Sequence, residues 1–421
     1  MVEIESVDFD DSNAPSIMTV LSCCQGFVVV DEEGSTLRLI HPTLHEYLTS
    51  HGNLFQNPHS TIAETCLTYL HSQQVIDVLD PRAQSTQHLS FLKYSSLHWG
   101  DDMKKGFTDR GGTLALNLFS HYKCHISTRL LLEHTLGQRF IRSIGDPYKF
   151  TGLHHASMFG LVEVAMALTM MDGLDINAID ETGATPLLWA ARGGHEAVVK
   201  LLLGLEGINP DKPDFNVRTP LSYAAENRHG VAVKLLLGRK DVNPDRPDHV
   251  RRVPISWAAG NGHEAVVKML LGREDVTPDR IDEWSRTPVS WAARNGHAGV
   301  VKLLLELEEV NPDRPDRGRR APISWAAANG HHAVVKMLLG RTSVNPGRPD
   351  NAGRTPAMYA ARNGHSAVVK LLLGREGVNP NSLARIVKSP ALSPHSDHSP
   401  FSPLPGEPCE QWGRPGTKAV K

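Results

Sequence analysis

The residues best suited to catalysis or metal binding in this 421-residue chain are histidines that recur every 34 residues. Imidazole can act as a general base or bind a metal ion. The row consists of His195, His229, His263, His297, His331 and His365. A zinc site needs several ligands at short spacing, and no cysteine or acidic co-ligand accompanies these histidines at such a spacing. We therefore predict hydrogen-bonded loop histidines and no metal site.

Other motifs that carry chemistry are missing from the sequence. His41 and His45 are four residues apart, but they flank Pro42 at an element boundary, and no HExxH motif occurs. No GxxxxGK[ST] loop supplies a phosphate cradle, and no GxSxG or GxGxxG pattern is present. The sequence predicts no catalytic residues, no cofactor and no small-molecule substrate. We expect a non-enzymatic protein.

Composition narrows the class of protein and partner. The 44 basic and 46 acidic residues give a net charge of −2, which does not favour a nucleic-acid partner. The five cysteines form no CxxC pair, as is typical of reduced intracellular thiols. They are Cys23, Cys24, Cys66, Cys124 and Cys409. No apolar run is long enough for a membrane span, so we expect a cytoplasmic protein, with the nucleus as the alternative.

The elements that must position these residues are repeats. Variants of one unit, such as ATPLLWAARGGHEAVVKLLL, recur with a period of 34 residues. Their prolines are Pro186, Pro220, Pro254, Pro288, Pro322 and Pro356. An aspartate row shares the phase: Asp146, Asp180, Asp214, Asp248, Asp282, Asp316 and Asp350. With a copy at Thr151, the sequence predicts seven units.

Each unit predicts two short helices and a turn. Thr185 and Pro186 are typical of a helix start. A second helix follows His195, and Val198, Leu201 and Leu202 form its apolar stripe at helical spacing. One helix pair cannot bury its apolar face alone, so the copies are expected to stack into a solenoid.

The unit resembles the ankyrin repeat, with its D-x-x-G-x-T-P-L-H-x-A-A pattern, over about residues 146–380. The histidine of TPLH survives only as His154, and the turn glycine only as Gly183 and Gly353. Other residues occupy the glycine position: Val217, Arg251, Ser285 and Arg319. A β-branched residue disfavours a positive φ, so the usual turn geometry is in question at these units.

The resemblance implies that a partner protein binds to a concave face formed by the turn fingers and the ends of the first helices. The corresponding positions are Arg192, Arg218, Glu226, Asn227, Arg252, Asn261, Trp284, Arg286, Arg294, Asn295, Arg320, Asn329, Arg354, Arg362 and Asn363. They suggest a basic, asparagine-lined groove for an acidic protein segment. One alternative is that the arginines pair locally with the aspartate row and keep the fingers solvated. Another is nucleic-acid binding by the arginines.

Two further rows have simpler structural interpretations. The aromatic row predicts a packed stripe between repeats rather than a stacking platform: Trp189, Tyr223, Trp257, Trp291, Trp325 and Tyr359. The lysine row predicts a solvated outer face: Lys200, Lys234, Lys268, Lys302, Lys336 and Lys370.

The N-terminal third has a different pattern. Residues 16–25 and 42–51 predict helices, and a predicted β-hairpin with a turn at Glu33 and Gly34 lies between them. Further helices are predicted at 61–79, 88–105 and 126–136. Residues 16–105 resemble the winged-helix segment that follows the NACHT module in fungal NACHT–ankyrin, NLR-like proteins. The resemblance implies a link between an NTPase switch and a sensor array. The chain is alternatively the regulatory half of a NACHT NTPase whose nucleotide-binding domain lies elsewhere.

The sequence thus predicts a mainly all-α protein in four parts. They are a winged-helix remnant at 1–52, a helical linker domain at 53–145, seven repeats at 146–381 and a partial cap with a disordered Ser/Pro tail at 382–421. The broken eighth unit after Pro380 also suggests a truncated gene product.

Overall fold

The computed structural model describes residues 28–31, 36–39, 57–71, 75, 90–121, 126–136 and 149–379. These residues form two compact units that divide between Leu174 and Asp175. Apart from two short strands, the regular structure of the described residues is helical. The predicted all-α solenoid is therefore confirmed.

The two strands pair near the N-terminus. Strands β1, Val28–Asp31, and β2, Thr36–Leu39, are antiparallel, with Val28 opposite Leu39. They fall in the two segments predicted to form a hairpin. The helices predicted at 16–25 and 42–51 lie outside the described residues, and so do the cap and tail at 382–421.

Six helices lie within the described residues of the first unit. They are α1 Pro58–Leu70, α2 Ser90–Lys105, α3 Asp109–His121, α4 Ile126–Leu136, α5 Gly152–Phe159 and α6 Val162–Thr169. Helix α2 packs against α1 and α4 and buries Trp99 and Met103. The Trp99 ring lies 5.2 Å from the Phe159 ring and 5.8 Å from the Phe119 ring, measured between centroids. Aromatic side chains therefore join the first repeat pair, α5 and α6, to this helical core.

Helices α2 and α4 appear where the sequence predicts them, and α1 ends at Leu70, short of the predicted 79. Helix α3 was not predicted. Gly111 and Gly112 in its first turn disfavour a helix by intrinsic propensity. Burial of Ala115 and Leu118, together with packing of α3 against α1, overrides that preference.

The described residues of the second unit, 175–379, form six helix pairs. The first helices are α7 Pro186–Gly193, α9 Pro220–Glu226, α11 Pro254–Gly260, α13 Pro288–Asn295, α15 Pro322–Ala328 and α17 Pro356–Arg362. The second helices are α8 Glu196–Leu203, α10 Gly230–Leu237, α12 Glu264–Leu271, α14 Ala298–Leu305, α16 His332–Leu339 and α18 Ser366–Leu373. First helices pack against first helices of neighbouring pairs, and second helices against second helices, which gives two layers.

Helix starts follow the predicted chemistry. The Thr185 hydroxyl accepts a hydrogen bond from the Leu188 backbone N at 3.2 Å, and Pro186 occupies the first turn. In α9 the Ser222 hydroxyl, which replaces the histidine of the usual motif, lies 3.1 Å from the Thr219 hydroxyl. A serine therefore takes over part of the capping contact at this position.

The apolar stripe of the second helices differs slightly from the prediction. In α8, Val198, Val199 and Leu202 are buried, whereas Leu201 is only half-buried. The predicted Val198 and Leu202 are confirmed, and Val199 rather than Leu201 completes the core side. The lysine row is exposed at every one of its six positions, as predicted.

Candidate interaction surface

Each of the six described fingers is closed by an aspartate of the predicted row, whose first member, Asp146, lies outside the described residues. Asp282 Oδ1 accepts hydrogen bonds from the backbone N of Trp284 at 2.9 Å and of Arg286 at 2.8 Å. Its Oδ2 accepts one from Trp291 Nε1 at 2.9 Å. The same aromatic-to-aspartate bond recurs in Trp189–Asp180, Tyr223–Asp214, Trp257–Asp248, Trp325–Asp316 and Tyr359–Asp350. One carboxylate thus fixes the turn and ties it to the first helix.

The left-handed turn survives without glycine. Val217, Arg251, Ser285 and Arg319 have φ angles of 60°, 63°, 59° and 60°. The question raised by the sequence is therefore answered in favour of the usual geometry. In the Arg251 turn, Arg251 N donates to Asp248 O at 2.9 Å and Asp248 N donates to Arg252 O at 2.8 Å. These bonds hold a conformation that costs an L-residue about 1–2 kcal/mol.

The arginine row points inward, between aromatic rings. The Arg252 guanidinium carbon lies 4.4 Å from the Trp257 ring centroid and 4.0 Å from that of Trp291. Arg286 lies 4.9 Å from Trp291 and 4.7 Å from Trp325. The aromatic row is therefore a packed stripe, as predicted, with a cation stacked at each step.

The same arginines pair with the aspartate of the following repeat. Arg252 Nε lies 3.9 Å from Asp282 Oδ2, and Arg286 Nε lies 3.6 Å from Asp316 Oδ2. Local Arg–Asp pairing is thus present, but its predicted consequence is wrong. Arg252 is only 6% exposed, because it joins two repeats instead of solvating the finger.

The asparagine and histidine rows share one acceptor in each repeat. The Arg294 carbonyl oxygen accepts hydrogen bonds from Asn329 Nδ2 at 2.7 Å and from His331 Nε2 at 2.9 Å. The carbonyls of Arg192, Glu226, Gly260 and Ala328 are shared in the same way by the next repeat. Both rows therefore cap the end of the preceding first helix, and the prediction of hydrogen-bonded loop histidines is confirmed.

The environment of three of these histidines favours the neutral imidazole. Burial lowers the pKa of His229, His263 and His331 below the ordinary value of 6.5. A neutral ring that donates from Nε2 carries no proton on Nδ1. No group of three or more potential metal-binding side chains occurs among the described residues.

The family model for ankyrin repeats, in three copies, matches residues 153–248, 230–316, 255–350 and 308–384. The chain belongs to the ankyrin repeat family. It is also similar to the crystal structure of the human ASB11 ankyrin repeat domain, with 27% identity and a TM-score of 0.48. That likeness covers 54% of this chain and 98% of the other. No curated protein matches the chain.

On this ankyrin array the predicted binding residues fall into three groups. Arg218, Arg252 and Arg286 are buried. The half-buried ones are Arg192, Glu226, Trp284, Arg294, Asn295, Arg320 and Arg354. The exposed ones are Asn227, Asn261, Asn329, Arg362 and Asn363. A role in binding remains a prediction for all of them, and the buried guanidinium groups are the least accessible to a partner.

Positive charge concentrates in the middle of the ankyrin array. Burial, together with Arg286, Arg252 and Arg320, lowers the pKa of Arg294 to about 10. Arg294 lies 4.8 Å from the Trp325 ring centroid, whereas the equivalent positions in the neighbouring repeats are Gly260 and Ala328. The half-buried Arg294 side chain therefore adds a cation that the two neighbouring repeats lack, whereas Arg192 and Arg362 occupy the same position further along the array.

A second ladder of ion pairs was missed by the sequence analysis. Arg280 Nη1 lies 2.7 Å from Asp245 Oδ2, which belongs to the preceding repeat. The equivalent pairs are Arg246–Asp211, Arg314–Asp279 and Arg348–Asp313. The signal was visible in the recurring PDRPD segments, which place a cation and an acid at a constant phase.

The exposed finger residues Phe215, Arg317 and Arg319 were also missed. Phe215 and Arg317 occupy one position of the repeat whose residue type changes from copy to copy, and Arg319 shares its position with Val217, Arg251 and Ser285, so a search for recurring residues does not find them. None of the described helices has the length and apolar character that a membrane span requires.

Proposed function

We propose that this chain is a non-catalytic protein-interaction module that binds a partner protein through its fingers and the ends of its first helices. Membership of the ankyrin repeat family is the observation that carries the proposal. Repeat arrays of this kind present an extended rigid surface that is suited to binding. We propose that the chain has no enzymatic activity and takes no small-molecule substrate.

The internal bonding of the array supports this proposal. The recurring side chains bond to backbone atoms or to the neighbouring repeat, as Asp282 and His331 do. This holds for the aspartate, aromatic, arginine, asparagine and histidine rows. Such links hold the exposed finger residues in fixed relative positions before any partner arrives. Pre-organisation of this kind reduces the entropic cost of binding.

Photo-crosslinking tests the proposal. A benzoylphenylalanine is placed at Trp284 or Arg362 on the proposed face, and at Lys268 or Lys336 on the outer helices as matched controls. We expect protein crosslinks from the first two positions and none from the lysine positions. Crosslinks from the lysine positions alone, or from no position, would contradict the proposed face.

We further propose, as a finer assignment, that the module belongs to an NLR-like fungal sensor of the NACHT–ankyrin type, in the cytoplasm. The residue pattern at 16–105 and the antiparallel pair β1–β2 support it. The regulatory half of a NACHT NTPase is the competing assignment. A transcript that continues upstream in frame through a P-loop would favour the NTPase assignment, and a transcript start at Met1 would count against it.

Nucleic-acid binding by the arginine row receives less support. Arg218, Arg252 and Arg286 are 8%, 6% and 7% exposed and lie between aromatic rings. Their guanidinium groups cannot reach a phosphate without disrupting the stack. Filter binding at two salt concentrations tests the idea, since phosphate contacts would give a strong salt dependence.

A further inference from the structure

The outermost residues of the fingers form one continuous edge, here called the finger-tip surface. It comprises residues 215–217, 249–251, 283–285 and 317–319. Adjacent fingers are joined by single backbone bonds: His249 N to Asn216 O at 3.0 Å, Glu283 N to Val250 O at 2.9 Å and Arg317 N to Trp284 O at 3.0 Å. The tips are therefore held in register, although their side chains differ.

One end of this surface is apolar. Phe215 is 67% exposed and Val217 is 39% exposed, and both lie on the same finger. The preceding finger fixes the position of Phe215, because the Phe215 backbone N donates to Thr182 O at 2.9 Å and the Phe215 ring lies over Gly183. Val217 also keeps a left-handed φ of 60° that a β-branched residue disfavours.

The other end is basic. Arg317 and Arg319 are exposed on the last of these fingers, and Arg251 is exposed on the second. No carboxylate of the described residues lies within ion-pair distance of these three guanidinium groups, whereas the inward Arg252 and Arg286 are paired. Glu283 is the acidic residue between them. The finger-tip surface therefore combines an apolar anchor with accessible cations.

We propose that the finger-tip surface binds an extended acidic protein segment, with an apolar side chain seated on Phe215 and Val217 and carboxylates on Arg317 and Arg319. This inference rests on the proposed protein-binding function and names the chemistry of the partner. Phe215 and Arg317 are three repeats apart. At about 8–10 Å for each step between packed helices, they are separated by roughly 25–30 Å. An extended chain spans that distance in about eight or nine residues.

Selection from a phage-displayed library of random 12-residue peptides on the full chain tests the proposal. We expect enriched peptides with an aromatic or aliphatic residue and, about eight residues away, two or more acidic residues. Binding of the strongest peptide is then measured by fluorescence anisotropy. Phe215→Ser and the pair Arg317→Glu with Arg319→Glu should each weaken it at least tenfold. The pair Lys302→Glu with Lys336→Glu reverses the same charge on the outer helices and should leave it unchanged.

Folding controls and a second arginine variant separate a loss of binding from a loss of structure. All five altered side chains are exposed, and all of them except Phe215 are charged. An unchanged circular-dichroism spectrum and an unchanged urea midpoint would confirm that each variant folds. Arg317→Ala with Arg319→Ala, which adds no negative charge, should lower the affinity less than the glutamate pair does.

Several outcomes would overturn the inference. The selection could enrich no peptide, or enrich only peptides without acidic residues. The finger variants could leave the affinity unchanged, or the chain could bind a single-stranded 12-nucleotide DNA instead of peptides. If proteins still crosslink to Trp284 or Arg362, only the finger-tip inference fails and the binding function stands. If neither peptides nor proteins bind, both proposals fail.

Discussion

A buried carboxylate is the central residue of every finger. Burial raises the pKa of Asp282 above its ordinary value, while hydrogen bonds from the Arg286 backbone and the Trp291 indole oppose the shift. A buried acid is tolerated where its oxygens are fully bonded. The aspartate row therefore specifies turn geometry and helix position together.

Loss of one such bond should be measurable. Trp291→Phe removes the Nε1 donor to Asp282 and leaves a buried carboxylate with one partner fewer. We expect a loss of about 1–3 kcal/mol in unfolding free energy, measured by urea denaturation. Trp284→Phe alters a half-buried finger ring and is the control, with a loss below about 0.5 kcal/mol. Equal losses for both variants would contradict the role assigned to the indole bond.

The left-handed turn gives a prediction of the opposite sign. Val217→Gly relieves a strained φ at an exposed position and should stabilise the chain by about 0.5–1 kcal/mol. Gly353→Val, at φ 72° with open space around the Cβ position, should destabilise it by about 1 kcal/mol or more. Thermal unfolding checks both. A destabilised Val217→Gly chain would show that the valine packs in a way the geometry does not indicate.

At this scale the sequence predicted which positions matter, but not which way they face. Arg252 and Lys268 both recur every 34 residues, yet Arg252 is buried between tryptophans and Lys268 is exposed. A period reports that an environment repeats and carries no information on burial. The stacking of arginine between two rings depends on a neighbour 39 residues away, as for Arg252 and Trp291.

At the scale of elements, a histidine from one repeat fits against a glycine of the previous one. A Cβ atom at Gly296 would lie 2.5 Å from His331 Nδ1. Gly364 has the same φ of 80°, with nothing within 4 Å of its Cβ position. The two glycines thus share a backbone conformation and differ in their surroundings.

Alanine at these two glycines separates strain from collision. Gly296→Ala must displace the His331 ring and its bond to the Arg294 carbonyl, so we expect a loss of about 2–3 kcal/mol. Gly364→Ala adds backbone strain alone and should cost about 1 kcal/mol. Equilibrium urea unfolding gives both values. If the two losses are equal, the histidine–glycine contact does not contribute to the joint between repeats.

The histidine joints also predict a pH dependence. Burial holds the pKa of His229, His263 and His331 below 6.5, so the unfolded chain takes up protons first as the pH falls. Their contribution is fully present above pH 6.5 and is lost as the pH drops towards the folded-state pKa. We expect the urea midpoint to fall between pH 7 and 5.5, and His331→Gln to make that dependence shallower. A midpoint that rises in this window would contradict the assignment.

Element boundaries were predictable where local signals agree. The recurring prolines, which follow a threonine in four of the six repeats, predicted the first helices of the second unit, whose bounds begin at Pro186 and recur with the period. Helix α3 was not predicted, because Gly111 and Gly112 have a low helix propensity. Tertiary packing makes the segment helical. Local propensity is a weak guide where burial decides the outcome.

At the scale of the whole molecule, the recurring side chains hold the array together, and we propose that the varying finger tips form the binding surface. The recurring rows are bonded internally, whereas Phe215 and Arg317 differ from their equivalents in other repeats. Stability and recognition can therefore vary independently. Substitutions at the finger tips should change binding with little effect on folding.

Hydroxyl-radical footprinting of the full chain, free and bound to a captured partner protein, tests the central claim most directly. We expect protection of Phe215 and Trp284, and unchanged reactivity of the outer helices around Lys268 and Lys336. Protection of the outer helices with a fully reactive Phe215 and Trp284 would contradict the proposed binding face.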